Sequence, residues 1–163
     1  MIDVRVAEND GVDLIRVKRE VGVPLAGVFA LPLVHAAIEQ DLVVPHFDEV
    51  HPQLQAWNAS HEVWQRRLSL TSLIHYSGKH AVFLRPGPML ALAANCVTDH
   101  RKEVEMALGW VLREAGQAHP DAVTAFLSDH AASLSARAYA RAIERRAPAE
   151  RQQLLLARKT RLA

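Results

Sequence analysis

Two tryptophan–arginine pairs are the residues of this chain whose types and spacing best suit chemistry. Trp64 precedes Arg67 by three positions, and Trp110 precedes Arg113 by the same interval. Side chains three positions apart lie on one face of a helix. An indole beside a guanidinium suits a ligand that combines a cation or a base with a phosphate. The two pairs therefore predict a binding site for a ligand of that kind.

The expected position of these arginines depends on what pairs with them. Burying an arginine is costly unless its charge is paired, so Arg67 and Arg113 are expected at an edge or along a groove. The alternative is structural, because Arg113 could form an ion pair with Glu114 or with an acid on a neighbouring helix. A single tryptophan in a helix most often packs into the core, which is the ordinary expectation for Trp57.

Other side chains that could do chemistry form weaker patterns. Asp41, in EQDLVVP, is placed to cap the helix that follows it. The nine histidines form no HExxH pair and Cys96 has no partner at a metal-ligand spacing, so no metal or cofactor is predicted. The segment LAANC places Cys96 in an apolar helix, which predicts a core cysteine.

Length and composition indicate one ordinary globular domain. A chain of 163 residues can bury a sizeable core. No run of the sequence approaches the roughly 18 apolar residues that a membrane span needs. A single cysteine excludes an internal disulfide, which predicts a cytoplasmic protein.

Charge is unevenly distributed along the chain. The net charge is +1, but residues 131–163 contain eight basic and two acidic side chains. A basic segment of this kind can bind nucleic acid or an acidic partner. The alternative is a solvated helix face followed by a frayed end.

The hydrophobic pattern predicts helices from about residue 25 onward. Ile2, Val4 and Val6 alternate with polar residues, Asn9-Asp10-Gly11 is typical of a turn, and residues 12–17 are rich in β-branched side chains. Residues 1–24 are therefore predicted to form a hairpin or a poorly ordered segment. Residues 25–163 are predicted to form an all-α domain, an α-solenoid of HEAT-like antiparallel helix pairs. The 46 residues between Trp64 and Trp110 are close to the HEAT period of about 40–47 residues. The predicted helices cover about 25–40, 45–57, 61–76, 89–96, 99–116, 120–130, 135–146 and 148 onward.

Four segments resemble the DNA alkylation repair family of HEAT-repeat glycosylases, the AlkD-like proteins. The strongest is EMALGWVLREAGQAHPDAVTAFL (105–127), which is similar to the family's GWxLRE helix, proline and second helix. The others are AWNASHEVWQRRLSL (56–70), SARAYARAIER (135–145) and EQDLVVPHF (39–47). Together they extend over roughly residues 35–150.

The resemblance implies an activity and a set of site residues. Enzymes of this family hydrolyse the N-glycosidic bond of cationic N3- and N7-alkylpurines in duplex DNA, without a metal or cofactor, while the lesion stays stacked. Carried over to this chain, Asp41 would stabilise the sugar cation and position water, and Trp110 would contact the deoxyribose. Arg67 and Arg113 would hold phosphates. The implied partner is duplex DNA carrying alkylated bases, bound by a monomer.

One departure from the family pattern leaves two alternatives open. Ala37 stands four residues before Asp41, where the family has its first catalytic tryptophan. The first alternative is a DNA-binding relative with little or no catalysis. The second is a HEAT-repeat scaffold that binds other proteins.

Overall fold

The computed structural model describes residues 47–77, 80–83 and 85–162. This part of the chain is all-α apart from one β-hairpin, so the predicted fold class is confirmed. The elements are α1 (Phe47–Asn58), α2 (Val63–Thr71), β1 (Ile74–Ser77), β2 (His80–Phe83), α3 (Pro86–Ala94), α4 (Lys102–Ala118), α5 (Pro120–Asp129), α6 (Ala136–Ala142) and α7 (Pro148–Leu162). Three predictions lie outside the described residues and stay predictions. They are the boundary near residue 24, the helix over 25–40 and the beginning of the HEAT-like domain.

Helix α4 is the element around which the others pack. Val104, Leu108, Val111, Leu112 and Ala115 are fully buried on it, at the helical spacing of an amphipathic face. The helix contacts α2 and α6 as well as α5, and α3, α5 and α7 contact one another in turn. Alternate helices thus form two rows, which is the order of contacts that an α-solenoid has. The HEAT-like repeat itself stays a prediction.

Helices α4 and α6 run side by side in the same direction. Three contacts follow the same order along both chain segments: Glu105 with Arg137, Gly109 with Arg141, and Glu114 with Arg145. A Cβ atom added to Gly109 would lie 2.7 Å from Cβ of Arg141 and 2.8 Å from the carbonyl oxygen of Ala138. Glycine at this position therefore lets the backbone of α6 approach α4 closely.

Several helix ends form where local signals predict them. Proline begins α5 and α7, because its missing N–H costs nothing in a first turn. Ser135 caps α6, its Oγ accepting a hydrogen bond of 3.1 Å from the backbone nitrogen of Ala138. Trp57 and Cys96 are buried in the core, as predicted.

The predicted helix over about 61–76 is wrong after Thr71. Helix α2 ends at Thr71, and β1 pairs antiparallel with β2 in the register Ile74↔Phe83 to Ser77↔His80. The strands are rich in β-branched and aromatic residues, which favour pleated pairing over a helix.

Three further boundaries differ from the prediction. Helix α3 begins at Pro86, before the predicted start at about 89, because proline is tolerated at a helix N-terminus. Helix α4 continues past Gly116 to Ala118. A Cβ atom at Gly116 would lie 3.0 Å from Nη2 of Arg146, so this glycine makes room for a guanidinium and does not end the helix. Helix α6 ends at Ala142, four residues before the predicted end.

Among the described residues, no helix combines the length and the hydropathy that crossing a membrane would require.

Candidate nucleic-acid interface

The first tryptophan–arginine pair lies on α2 and is present as predicted. The guanidinium carbon of Arg67 is 6.0 Å from the ring centroid of Trp64, at the outer range of a cation–π contact. The Trp64 side chain is exposed. Nη1 of Arg67 donates a 3.3 Å hydrogen bond to the carbonyl oxygen of Glu103, in the first turn of α4. The pair therefore lies at the surface and is attached to the helix that carries the second pair.

Arg113, on α4, is held by two carboxylates. Its Nη2 lies 2.7 Å from Oε1 of Glu114, and its Nη1 donates a 2.7 Å hydrogen bond to Oε2 of Glu144, just after α6. The structural alternative left open by the sequence, pairing with Glu114 and with a distant acid, is thus what the structure shows. Burial opposes charging of Arg113, but the hydrogen bonds to Glu144 and Glu114 outweigh it and raise its pKa above the ordinary value.

Two more arginines converge on the same carboxylates. Nη1 of Arg145 lies 2.9 Å from Oε2 of Glu114, and Nη1 of Arg141 lies 3.3 Å from Oε2 of Glu144. We call Arg113, Arg141, Arg145, Glu114 and Glu144 the arginine cluster. Three guanidinium groups face two carboxylates, so the cluster has one excess positive charge at neutral pH.

The two carboxylates of the arginine cluster differ in exposure. The Glu114 side chain is 2% exposed and also accepts a 3.2 Å hydrogen bond from Nε2 of Gln117. The Glu144 side chain is 49% exposed. The hydrogen bond from Arg113 and the charges of the nearby arginines keep the pKa of Glu144 below its ordinary value, although slight desolvation opposes the shift. Glu114 is therefore an internal anchor, whereas Glu144 is a surface anion.

The family model of the DNA alkylation repair enzyme matches residues 33–145, more than half of the chain. The protein belongs to this family. No curated protein and no solved structure matches it significantly. The match extends through α6 and ends at Arg145 of the arginine cluster, and α7 follows it. A role in DNA repair, with DNA as the partner, follows from membership in the DNA alkylation repair family. The AlkD-like subtype stays a prediction.

The described part of this repair protein brings some of the predicted site residues onto one helix. Trp110 is partly buried on α4, one turn before Arg113. Asp41 and Ala37 lie outside the described residues, so the role that the resemblance implies for Asp41 stays a prediction. The two tryptophan–arginine pairs are not equivalent repeats, because Trp64 is the second residue of α2 and Trp110 the ninth of α4.

Sequence reasoning missed Arg141 and Arg145, although a signal for them was present. Arg137, Arg141 and Arg145 follow one another at intervals of four, which places them on one side of a helical segment. In the sequence these arginines belong to the basic segment 131–163 and to the SARAYARAIER resemblance, and neither pattern assigns them a partner. What the sequence could not indicate is that this side faces α4, where Glu105 and Glu114 are buried.

A second cluster joins the beginnings of α2 and α4. Asp99 Oδ2 lies 2.8 Å from Nε of Arg66 and 2.6 Å from Nη2 of Arg101. Nη1 of Arg101 donates a 2.7 Å hydrogen bond to the carbonyl oxygen of His61. The hydrogen bond from Arg101 is the main cause that lowers the pKa of Asp99, against a smaller opposing effect of burial.

Asp99 is, with Thr98, one of two residues before α4 whose side chains are of the types that cap helices, but it does not cap this helix. Its carboxylate accepts from the backbone nitrogen of Arg101, which precedes the helix, and α4 has no side-chain cap. Over the residues described, no three His, Cys, Asp or Glu side chains come together as a metal site.

Proposed function

We propose that this protein binds duplex DNA and hydrolyses the N-glycosidic bond of cationic N3- and N7-alkylpurines. The observation that carries the proposal is the GWVLRE helix, α4, in a chain that belongs to the DNA alkylation repair family. On this helix Trp110 and Arg113 lie one turn apart, beside a cluster with excess positive charge. Arg67, anchored to the start of α4, adds a second guanidinium with an adjacent exposed indole.

The proposed reaction needs little from the protein beyond electrostatics. An alkylated purine carries a positive charge, so when its bond to the sugar breaks it leaves as a neutral base. The sugar is left with a developing positive charge, and water adds to it and loses a proton. A fixed carboxylate at Asp41 would stabilise that charge. The indole of Trp110 suits the same cation, and arginines suit the flanking phosphates.

The decisive experiment is release of 7-methylguanine from duplex DNA by the protein and its Asp41→Asn variant. The variant keeps the side-chain shape but loses the negative charge, so the rate should fall by about 10²–10³ while duplex binding is unchanged. Glu39→Gln removes the same charge two residues away in the sequence and is the matched control. Release by Asp41→Asn at the parent rate would show that this aspartate is not the catalytic group.

A DNA-binding relative without catalysis is the second candidate, and Ala37 favours it because an expected tryptophan is missing there. Restoring Ala37→Trp should raise the rate if the indole is the limiting defect. Binding without base release in both proteins would support this second candidate. A protein-binding scaffold, by contrast, would lack the steep fall of log K with log salt that phosphate contacts produce.

A further inference from the structure

The surface carboxylate of Glu144 occupies a position between two guanidinium groups. Its Oε2 atom is 2.7 Å from Nη1 of Arg113 and 3.3 Å from Nη1 of Arg141. Two guanidinium groups that point at one oxygen form the arrangement that binds a carboxylate or phosphate oxygen. The position of Oε2 therefore marks a built anion site at the surface of the arginine cluster.

Arg113 stays oriented toward this site whichever anion fills it. Its other edge is held by Glu114, at 2.7 Å and 2.9 Å, and that carboxylate is almost fully buried. Arg145 and Gln117 also bind Glu114, so the anchor has its own partners. Loss of Glu144 from the site would leave the guanidinium of Arg113 in place with Nη1 free to donate.

Arg141 is incompletely satisfied by Glu144. Its backbone position is set by the close contact between its Cβ and Gly109. Its ion pair with Glu144 is the longest in the arginine cluster, and its Nε is buried without a hydrogen-bond partner. A buried donor without a partner is uncommon and unfavourable. A larger anion with several acceptor oxygens would satisfy this guanidinium better than one carboxylate oxygen does.

We propose that the site between Arg113 and Arg141 binds a DNA phosphodiester, and that Glu144 fills it when DNA is absent and is displaced by the phosphate. The inference rests on the proposed function, since it requires duplex DNA as the ligand. Glu144 is about half exposed, so it can turn into solvent without disturbing the core. Its departure leaves three guanidinium groups against one carboxylate, which favours an anionic ligand.

The test compares two glutamates that each lose one charge. Glu144→Gln removes the competing anion, whereas Glu150→Gln breaks the 2.6 Å ion pair with Arg146, outside the arginine cluster. Fluorescence anisotropy with an unmodified duplex, over a series of salt concentrations, gives the affinity of each protein. Glu144→Gln should bind about fivefold more tightly than Glu150→Gln, which corresponds to one surface ion pair that no longer has to be broken. Thermal unfolding checks that both variants fold.

Two further variants separate displacement from net charge. Glu144→Asp keeps the charge but shortens the reach to the arginines, so it should also bind more tightly than the parent. Arg141→Ala should weaken binding, and the effect of Glu144→Gln should be smaller in the Arg141→Ala background than in the parent, because only the pair of Glu144 with Arg113 is then left to break. Equal affinities of Glu144→Gln and Glu150→Gln would overturn this inference alone. Failure of the parent and of all variants to bind duplex at low salt would overturn the proposed function as well.

Discussion

At the scale of single residues, the ion pairs of Arg113 with Glu114 and Glu144 determine how its guanidinium group is oriented. The sequence suggested either a phosphate ligand or an ion-paired structural residue. The structure shows the ion pairs, one with an almost fully buried carboxylate and one with an exposed carboxylate. These pairs hold the guanidinium in one orientation, with the buried Glu114 at one edge and the exposed Glu144 at Nη1. Orientation by Glu114 is thus compatible with the proposed contact to a phosphate.

Asp99 provides a residue-scale prediction about acid stability. Its pKa is lowered in the folded protein, so the unfolded chain takes up the proton first as the pH falls. The stabilisation is therefore complete well above the ordinary aspartate value of about 3.9 and is lost as the pH falls through the lower folded value. Asp99→Asn should be less stable than the parent at pH 7, and the difference should shrink toward pH 3. Urea unfolding over this range measures it.

The control for Asp99 is another aspartate. Asp129 is exposed at the end of α5, so Asp129→Asn removes the same charge while leaving the ion pairs of Asp99 intact. A constant difference between Asp99→Asn and the parent from pH 7 to pH 3 would contradict the assigned ion pairs with Arg66 and Arg101.

At the scale of elements, the contact between α4 and α6 positions the candidate site. Gly109 allows the close approach, and carboxylate–arginine pairs lie on either side of it, Glu105 with Arg137 and Glu114 with Arg145. The separations in sequence are 32 and 31 residues, so the two pairs have nearly the same offset, as expected where two segments run in the same direction. The glycine of GWVLRE is therefore a packing residue.

Gly109→Ala tests this packing. The added methyl group would lie 2.7 Å and 2.8 Å from atoms of α6, so the helices must separate. We expect a loss of about 1–3 kcal/mol in the free energy of unfolding, although alanine is intrinsically the better helix former by about 1 kcal/mol. Gly87→Ala is the control, because a methyl group there meets nothing within 4 Å. Equal stability of the two variants would show that α6 does not depend on Gly109.

At the scale of the whole molecule, most of the basic side chains after residue 130 are engaged in ion pairs and hydrogen bonds within the protein. Arg137, Arg141, Arg145 and Arg146 pair with glutamates. Arg158 donates to the carbonyl oxygens of Ala131 and Leu134 and lies over the ring of Tyr139. Most of the basic residues after position 130 thus hold helices together, and the excess charge of the arginine cluster is what remains beside α4.

The salt dependence of duplex binding is the prediction at this scale. Arg67→Ala should weaken binding almost uniformly across sequences and reduce the slope of log K against log salt by roughly one unit, since phosphate contacts do not distinguish bases. Arg85→Ala removes the same charge from an exposed arginine before α3 and is the control. An unchanged slope of log K against log salt for Arg67→Ala, with the fold intact, would show that Arg67 is not part of the interface.

Local chemistry explains which features were predictable from the sequence. Prolines begin α5 and α7 and Ser135 caps α6 because these signals act within one helical turn. The amphipathic pattern of α4 likewise predicts its buried face. The family and its GWVLRE segment can also be recognised without coordinates, because they depend on residue identity alone. The assignment of Asp41 stays a prediction of the sequence.

Contacts between distant residues account for what the sequence left open. The segment after α2 forms a strand because it has a partner at 80–83, and no helical period reveals that pairing. Arg113 could equally have bound water or an acid, and its partner Glu144 is 31 residues away in the sequence. The distance from Gly109 to Arg141 depends on how two helices pack. The strand pairing, the partner of Arg113 and the contact at Gly109 each join two segments that are distant in the sequence. Burial and charge pairing in the folded chain decide them, so the sequence pattern alone does not predict them.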